Sequence, residues 1–270
     1  MYILFDIGAT NMRFARSDDL TQFDSPVIVP TPVDFNEAMS VARGLIEELS
    51  EDEDIEGIAG GIAGVLDSHK SKLLRSPNLT SWEGKPLKES LMDMTGTEPR
   101  ICNDADMGGL GEAVYGAGKG SKICAYMTVS TGIGGSLIID GEVMKTHLGS
   151  EPGFQIIDYK NNTTLHEIIS GRSIEERLGK KAKDIDDPQL WDDVEPVLAV
   201  GIHNTIIHWS PDTFVLGGSI MKDLDIPDIE NALKRRMTIF PELPRFVRAE
   251  LGSKNGLYGA MAHLKRSLEK

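Results

Sequence analysis

The sequence predicts an α/β protein with mixed sheets. Helical and strand-like segments interleave, yet several strands are joined by tight turns rather than by helical crossovers. An internal echo adds a third observation. A strand, a Gly/Thr turn and a returning strand occur between Tyr2 and Arg16 and again between Ile123 and Ile139. Two such units predict two related halves that face each other.

The individual elements follow from local chemistry. Tyr2 to Phe5 is a β-prone run that turns through Asp6-Ile7-Gly8-Ala9-Thr10 into a second strand at Met12 to Arg16. Phe35 to Leu49 carries Ala38, Val41, Leu45 and Ile46 at helical spacing. Ile55 to Gly64 is apolar and Gly-rich, as expected of a buried strand that feeds a backbone-lined loop. A short helix is expected at Lys85 to Met94, a strand at Pro99 to Asn103 and a Gly-rich helix at Ala105 to Tyr115. Cys124 to Val129 and Ser136 to Ile139 are expected strands, and Asp140-Gly141 is a hairpin signal. From Leu165 to His208 the chain is mainly helical. Thr213 to Leu216 is a strand, and Gly256 to Leu268 a final helix.

Composition narrows the function classes. The 270 residues are 40% hydrophobic and 26% charged, ordinary for a soluble globular protein. A formal net charge of -14 argues against a nucleic-acid partner, which demands clustered Lys and Arg. The apolar N-terminus is too short for a signal peptide and is interrupted by Asp6, and no run is long enough to span a membrane. A cytoplasmic location with no membrane partner is expected. The two cysteines, Cys102 and Cys124, form no CxxC pair and read as buried free thiols, so no zinc site is expected.

Three turns could handle phosphate. Asp6 to Asn11 brings backbone N–H groups, a hydroxyl and a carboxylate together, which suits phosphate oxygens and Mg²⁺ but also a plain hairpin. Thr128 to Gly135 repeats those ingredients, yet it is neither a Walker A loop nor a Rossmann fingerprint. Leu216-Gly217-Gly218-Ser219 offers bare backbone for a flat adenine ring, or a simple strand-to-helix turn. Asp104, between a strand and a Gly-rich helix, could be a helix cap or a base beside an acceptor hydroxyl.

The ordered set DIGATN, GIAGVLD, SPNLTSWEG, NDADMGGLGEAVYGAG, TVSTGIGGSLIIDGEV, GSEPG, LHEIISGRSI and FVLGGSI resembles the ROK family of sugar kinases and sugar-responsive repressors over nearly the whole chain. The resemblance implies two domains of related ribonuclease-H-like, actin-like ATPase topology around a central cleft. One would comprise residues 1–105 plus about 255–270, the other about 106–254. It implies ATP and Mg²⁺ as cofactors, a small-molecule sugar as partner, and ATP-dependent phosphorylation of a sugar hydroxyl, as in glucokinases. A homodimer is compatible with it.

Residue by residue, the resemblance makes Asp104 the catalytic base and Asn103 a ligand of sugar hydroxyls. Asp6, Gly8, Thr10 and Asn11 fall in the first phosphate motif, with Ala9 where a third glycine is usual and Asp6 a Mg²⁺ ligand. Thr131, Gly132 and Gly134 match the second motif, and Gly217 and Gly218 the adenosine loop. Gly64, in the loop that starts at Gly60, and Asn78 border the sugar. The family's repressors carry an N-terminal helix-turn-helix, whereas this chain begins at the first phosphate motif, so the kinase branch is expected.

Two positions depart from the pattern. Glu151 is kept, but Phe154 stands where a sugar-binding histidine is usual, and the zinc-binding cysteines that normally follow are missing. A phenyl ring offers a sugar its apolar face and no ordinary hydrogen bond. In Leu165-His166-Glu167-Ile168-Ile169-Ser170-Gly171, His166 takes the place of a sugar-binding glutamate. Either His166 replaces it, or the register slips to Glu167, which a helix places about 100° away. Three functions remain open: a hexose kinase, a sugar- or nucleotide-binding sensor with reduced catalysis, and a kinase with another acceptor or a polyphosphate donor. The acceptor pocket's altered hydrogen-bond inventory leaves the sugar unnamed.

Overall fold

The first strand, β1 (Tyr2–Ile7), buries Ile3, Leu4, Phe5 and Ile7 completely, as a strand covered on both faces must. It belongs to a computed structural model that describes residues 1–185 and 187–269 and divides into two units. Unit 1 holds Met1–Val114, Lys145–Gly149 and the segment from Ser253, and unit 2 holds Tyr115–Met144 and Ser150–Gly252.

In unit 1, β1 forms a hairpin with β2 (Asn11–Ser17) in which Asp6 lies opposite Arg13. β3 (Val27–Pro30) adds an antiparallel edge. Helix α1 (Phe35–Ser50) starts where the Asp34 carboxylate accepts the Glu37 N–H at 2.9 Å, and it buries Ala38, Ala42, Leu45 and Ile46 on one stripe. β4 (Gly57–Ile62) runs parallel to β1 with every residue buried. β5 (Val65–Leu66) and β6 (Leu73–Arg75) pair as a small hairpin, which the sequence did not signal. Helix α2 (Leu87–Thr95) ends at Gly96, whose φ of 69° lets its N–H reach the Met92 carbonyl. β7 (Arg100–Asn103) pairs parallel with β4 and leads straight into α3 (Asp104–Tyr115).

Unit 2 opens with β8 (Ile123–Val129), β9 (Ile133–Ile139) and β10 (Glu142–Val143). The strand expected from Ser136 begins three residues earlier, because Gly134 and Gly135 pair with Thr128 and Met127. Asp140 and Gly141 both take positive φ, 51° and 72°, as a two-residue hairpin loop requires. β11 (Ile156–Asp158) pairs with β12 (Thr163–Thr164). Helices α4 (Leu165–Ile169), α5 (Gly171–Leu178) and α6 (Pro188–Trp209) follow. β13 (Thr213–Gly217), α7 (Ile226–Lys234) and β14 (Arg245–Arg248) complete the unit. The last helix, α8 (Asn255–Leu268), belongs to unit 1. No helix among the described residues is long and apolar enough to cross a membrane.

The sheet orders are β3-β2-β1-β4-β7 and β10-β9-β8-β13-β14. In each, the middle strand pairs antiparallel with its successor on one side and parallel with a later strand on the other. The echo read from the sequence is therefore a repeated topology. Each unit has its own core, one around Phe5, Phe14 and Trp82, the other around Phe214, Leu198 and Ile202.

Within unit 1, α3 and α8 touch backbone to backbone. A Cβ on Gly259 would lie 1.8 Å from the Met107 carbonyl oxygen, and one on Gly111 would lie 2.2 Å from that of Asn255. Only glycine permits such an approach. Beside that contact, the Cys102 thiol sits 3.8 Å from His263 Nε2, and burial pushes it up to about 12, which makes it unreactive. The first turn of α3 also buries Asp106, and desolvation pushes its carboxyl up to about 6 although Lys70 pulls the other way.

Gly259→Ala is expected to lower stability by about 3 kcal/mol or more, since backbone must move to admit the methyl group; a denaturant midpoint that stays put would contradict the contact. Asp106 gives a pH-dependent expectation. Between its unfolded value of 3.8 and its folded value of about 6, the folded chain binds a proton that the unfolded chain has released. Stability therefore falls as pH rises through that window. Asp106→Asn should raise the unfolding free energy by up to about 3 kcal/mol at pH 8, with the gain vanishing near pH 4 in paired denaturation curves.

Candidate active site

The carboxyl ends of parallel strands are where α/β sheets place ligands, and in unit 1 these ends carry the carboxylates. Asp6 lies in register with Gly61 of β4, and Gly61 in register with Cys102 of β7, one residue before Asn103-Asp104. A Cβ on Gly61 would stand 2.9 Å from the Asp104 Cα, so this glycine lets α3 start close against the sheet. A Cβ on Gly256 would stand 2.9 Å from Asp6 Cγ, so α8 likewise begins against the Asp6 carboxyl.

The charge of Asp104 reaches the Asp6 carboxyl. Burial pushes Asp6 up to about 6, the Asp104 charge adds to the rise, and the Arg13 guanidinium opposes it. Arg13 Nη1 donates to Asp6 Oδ2 at 3.1 Å. Its Nε is buried with no hydrogen-bond partner. Asp104 is raised by burial, while the N–H of Ala105, 2.9 Å from its Oδ1, pulls it down. Neither Arg13 nor the glycines Gly61 and Gly256 were singled out from the sequence. The Arg13 signal was present in the hairpin register, because a turn from Ile7 to Met12 sets Arg13 opposite Asp6.

Asn103, not Asp104, caps the helix. Its Oδ1 accepts from the N–H groups of Ala105 at 2.8 Å and Asp106 at 3.3 Å. Its Nδ2 donates to the Gly64 carbonyl at 3.0 Å, which leaves one amide hydrogen for a ligand. Gly64 itself needs glycine, with φ of 130° and only 2.7 Å between a built Cβ and the Arg75 carbonyl oxygen. Asn78 is exposed in the bend that follows β6.

The first turn is closed by the Gly8 N–H on the Asn11 carbonyl at 3.0 Å and by the Thr31 hydroxyl on the Gly8 carbonyl at 2.8 Å. Thr10 is exposed at its tip. Ala9 keeps a negative φ, so alanine in place of the usual glycine costs no backbone strain. Unit 1 thus assembles Asp6, Gly8, Thr10, Asn11, Gly64, Asn103 and Asp104 around one edge of its sheet.

Unit 2 carries a second group of candidate residues. The second turn, Ser130 to Gly132, is tied to the start of α5, where the N–H groups of Gly171 and Arg172 donate to the Ser130 and Thr131 carbonyls at 2.7 and 3.1 Å. Gly218, with φ of 97°, packs its Cα on the Val129 backbone, and the hydroxyls of Ser130 and Ser219 lie 3.1 Å apart. Gly217 approaches the Tyr126 hydroxyl, 3.0 Å from a built Cβ. Thr131, Gly132, Gly217 and Gly218 are therefore neighbours, while Gly134 is a strand residue of β9.

Glu151 precedes the short 3₁₀ turn Pro152–Phe154, which lies on β9: a Cβ on Gly153 would stand 2.3 Å from the Ile133 carbonyl oxygen. Phe154 is half-exposed, and its ring stacks on His166 with centroids 5.3 Å apart and planes at 13°. His166 and Glu167 differ in what already engages them. Glu167 is spent in a capping box, its Oε2 accepting from the Thr164 N–H and hydroxyl at 2.8 Å each. The imidazole of His166 packs toward Gly132, 3.4 Å from a Cβ built there.

The donor set accommodates the implied cation. Asp6 keeps Oδ1 clear of Arg13, and a carboxyl raised by burial and by the Asp104 charge is what a hard divalent ion relieves. Among the described residues, no three His, Cys, Asp or Glu side chains converge as a metal cluster.

Known proteins share this chain's sequence pattern and fold. The chain is 25% identical over 297 residues to the N-acetyl-D-glucosamine kinase of Vibrio atlanticus, across 96% of this chain and 98% of that protein. A ROK hexokinase from Thermus thermophilus shares the fold with a TM-score of 0.83 at 24% identity, over 98% of this chain and 99% of the other. A ROK glucokinase from Streptomyces griseus, solved with glucose and AMPPNP, does so with a TM-score of 0.82 at 22% identity, over the same shares. The actin-like ATPase fold expected from the motifs is the fold observed. With the ROK family's sequence model matching residues 2–267, this chain belongs to the ROK family.

Proposed function

We propose that the protein is an ATP-dependent kinase that phosphorylates a sugar hydroxyl, with Asp104 as the base. The observation that carries this reading is a carboxylate buried at the carboxyl end of β7, raised toward working pH, in a member of the ROK family. A carboxylate raised by desolvation is a better proton acceptor than an exposed one, and it takes the proton as the acceptor oxygen attacks phosphorus. The helix start beneath it keeps it ionised enough to act, through the Ala105 N–H.

The other roles follow from chemistry already described. The free amide hydrogen of Asn103 donates to the acceptor sugar, with Asn78, Gly64, Glu151 and His166 as further contacts. Backbone amides of Ala9 and Thr10 in the first turn and of Thr131 and Gly132 in the second hold phosphate oxygens, with Gly8 and Gly134 shaping those turns, and Gly217-Gly218 lies against the adenosine. Arg13 keeps Asp6 ionised and fixed. Mg²⁺, when bound at Asp6, would neutralise charge on the phosphates. Relatives named for N-acetyl-D-glucosamine and a neighbour solved with glucose support a hexose or an acylated amino sugar as acceptor. The exchange of a hydrogen-bonding pair for Phe154 and His166 favours one second reading, a binding sensor with reduced turnover.

ADP release over a panel of hexoses and amino sugars separates the two, since a sensor binds sugar without releasing ADP. Asp104→Asn should cut turnover by about 10²-fold or more while nucleotide binding persists; near-normal turnover would remove Asp104 from the role of base. In the wild type, kcat/KM should rise with pH through a limb that lies above the ordinary carboxylate range, because the ionised form of Asp104 is the active one. A limb at the ordinary carboxylate value would contradict the burial.

A further inference from the structure

Two positions at which the chain leaves its family's pattern, Phe154 and His166, are in contact with each other. They lie on different elements, the 3₁₀ turn before β11 and the helix α4, and both elements are held firmly. The turn is fixed on β9 by Gly153 against Ile133 and by Pro152 against Gly135, 2.7 Å from a built Cβ. Helix α4 is fixed by its capping box, and the His166 carbonyl accepts from the Ser170 N–H at 3.0 Å and the Ser173 hydroxyl at 2.8 Å. The parallel rings therefore meet by construction, with imidazole on one side of the stack and phenyl on the other.

The other edge of the imidazole faces the second phosphate turn. His166 Cε1 and Nδ1 would lie 3.4 and 3.8 Å from a Cβ on Gly132, and Nδ1 is buried with no hydrogen-bond partner. A buried polar atom without a partner demands an explanation. Here it lies beside the one turn whose carbonyls are already tied to α5.

We propose that Phe154 is a positioning residue that holds the His166 imidazole against Gly132, so that Nδ1 serves the nucleotide's phosphate turn. This deepens the kinase reading and rests on it: a residue at an acceptor-binding position is turned toward the donor, and occupancy of the acceptor segment is transmitted to the turn through a ring stack. The charged groups around the imidazole are Arg172 and Glu176 on α5 and Glu167 on α4. Burial, with Arg172, holds the ring below the ordinary histidine value, so it stays uncharged while packed on Phe154.

The test is a double-mutant cycle on the full chain, read as the Kd for AMPPNP rather than as turnover. Phe154→Ala and His166→Ala should each weaken AMPPNP binding about tenfold, and the double variant should be no weaker than the worse single one. Phe154→Tyr, which keeps the stack, should restore binding. Additive losses would overturn the coupling. Unchanged AMPPNP affinity with an altered sugar KM would return His166 to the acceptor alone and overturn the proposal. Should His166→Ala unfold, His166→Gln takes its place in the cycle. Silence across the whole sugar panel would remove the kinase reading, yet the cycle on AMPPNP binding would still decide the coupling.

Discussion

Burying two carboxyls beside each other is the constraint on which the rest of unit 1 depends. Asp6 and Asp104 both lose water, which disfavours their charged forms, and the Asp104 charge raises Asp6 further. Several features that look unrelated in the sequence answer that problem. Arg13 is placed opposite Asp6 by hairpin register and supplies the counter-charge. Gly61 and Gly256 let two helices start against the carboxyls, bringing backbone dipoles close where a methyl group would hold them away. Asn103 shares the start of α3 with Asp104: its Oδ1 accepts from Ala105 and Asp106, while Asp104 Oδ1 accepts only from Ala105. The arrangement sacrifices stability to keep two carboxyls out of water, each raised above the ordinary carboxylate value.

Much of this was legible because strands, turns and glycines leave strong local marks. The β1–β2 hairpin, the helix from Phe35 and the Asp140-Gly141 turn were all read at nearly their observed bounds. What escaped belongs to pairing and packing. β3 and β14 are short and are held by pairing with a neighbouring strand, whereas α7 carried a legible pattern, Asp225 and Pro227 at its start and Ile229, Ala232 and Leu233 on its buried face, that went unread. The early start of β9 was hidden because Gly134 and Gly135 carry no β propensity, and the partner strand holds them in register. Gly259 and Gly111 have ordinary helical φ, so their need for glycine is visible only once α3 and α8 are docked.

The capping box is a different kind of miss. Thr164-x-x-Glu167 at the start of a helix is a sequence signature, and it states that Glu167 is committed to its own backbone. Read that way, the sequence alone favours His166 over a register slip. The same logic applies to Ala9, where a family glycine is lost without strain because the backbone does not require positive φ. A departure from a pattern matters only when the lost residue did something its replacement cannot. Ala9 passes that test, and Phe154 with His166 does not, because hydrogen-bonding capacity has been exchanged for ring area.

The two units share one sheet order and carry different kinds of candidate residue. Unit 1 carries ionised side chains, whose strength depends on burial and on Arg13. Unit 2 carries backbone turns and an uncharged ring stack, whose strength depends on close approach at Gly132, Gly153 and Gly218. These respond to change differently. A charge in unit 1 can be retuned by altering one neighbour, because electrostatic effects reach beyond contact distance. The stack in unit 2 can change only in concert, because a ring removed from one side leaves the other unsupported. Phe154 and His166 therefore act as a pair, whereas Asp6, Asn103 and Asp104 are each held by neighbours of their own.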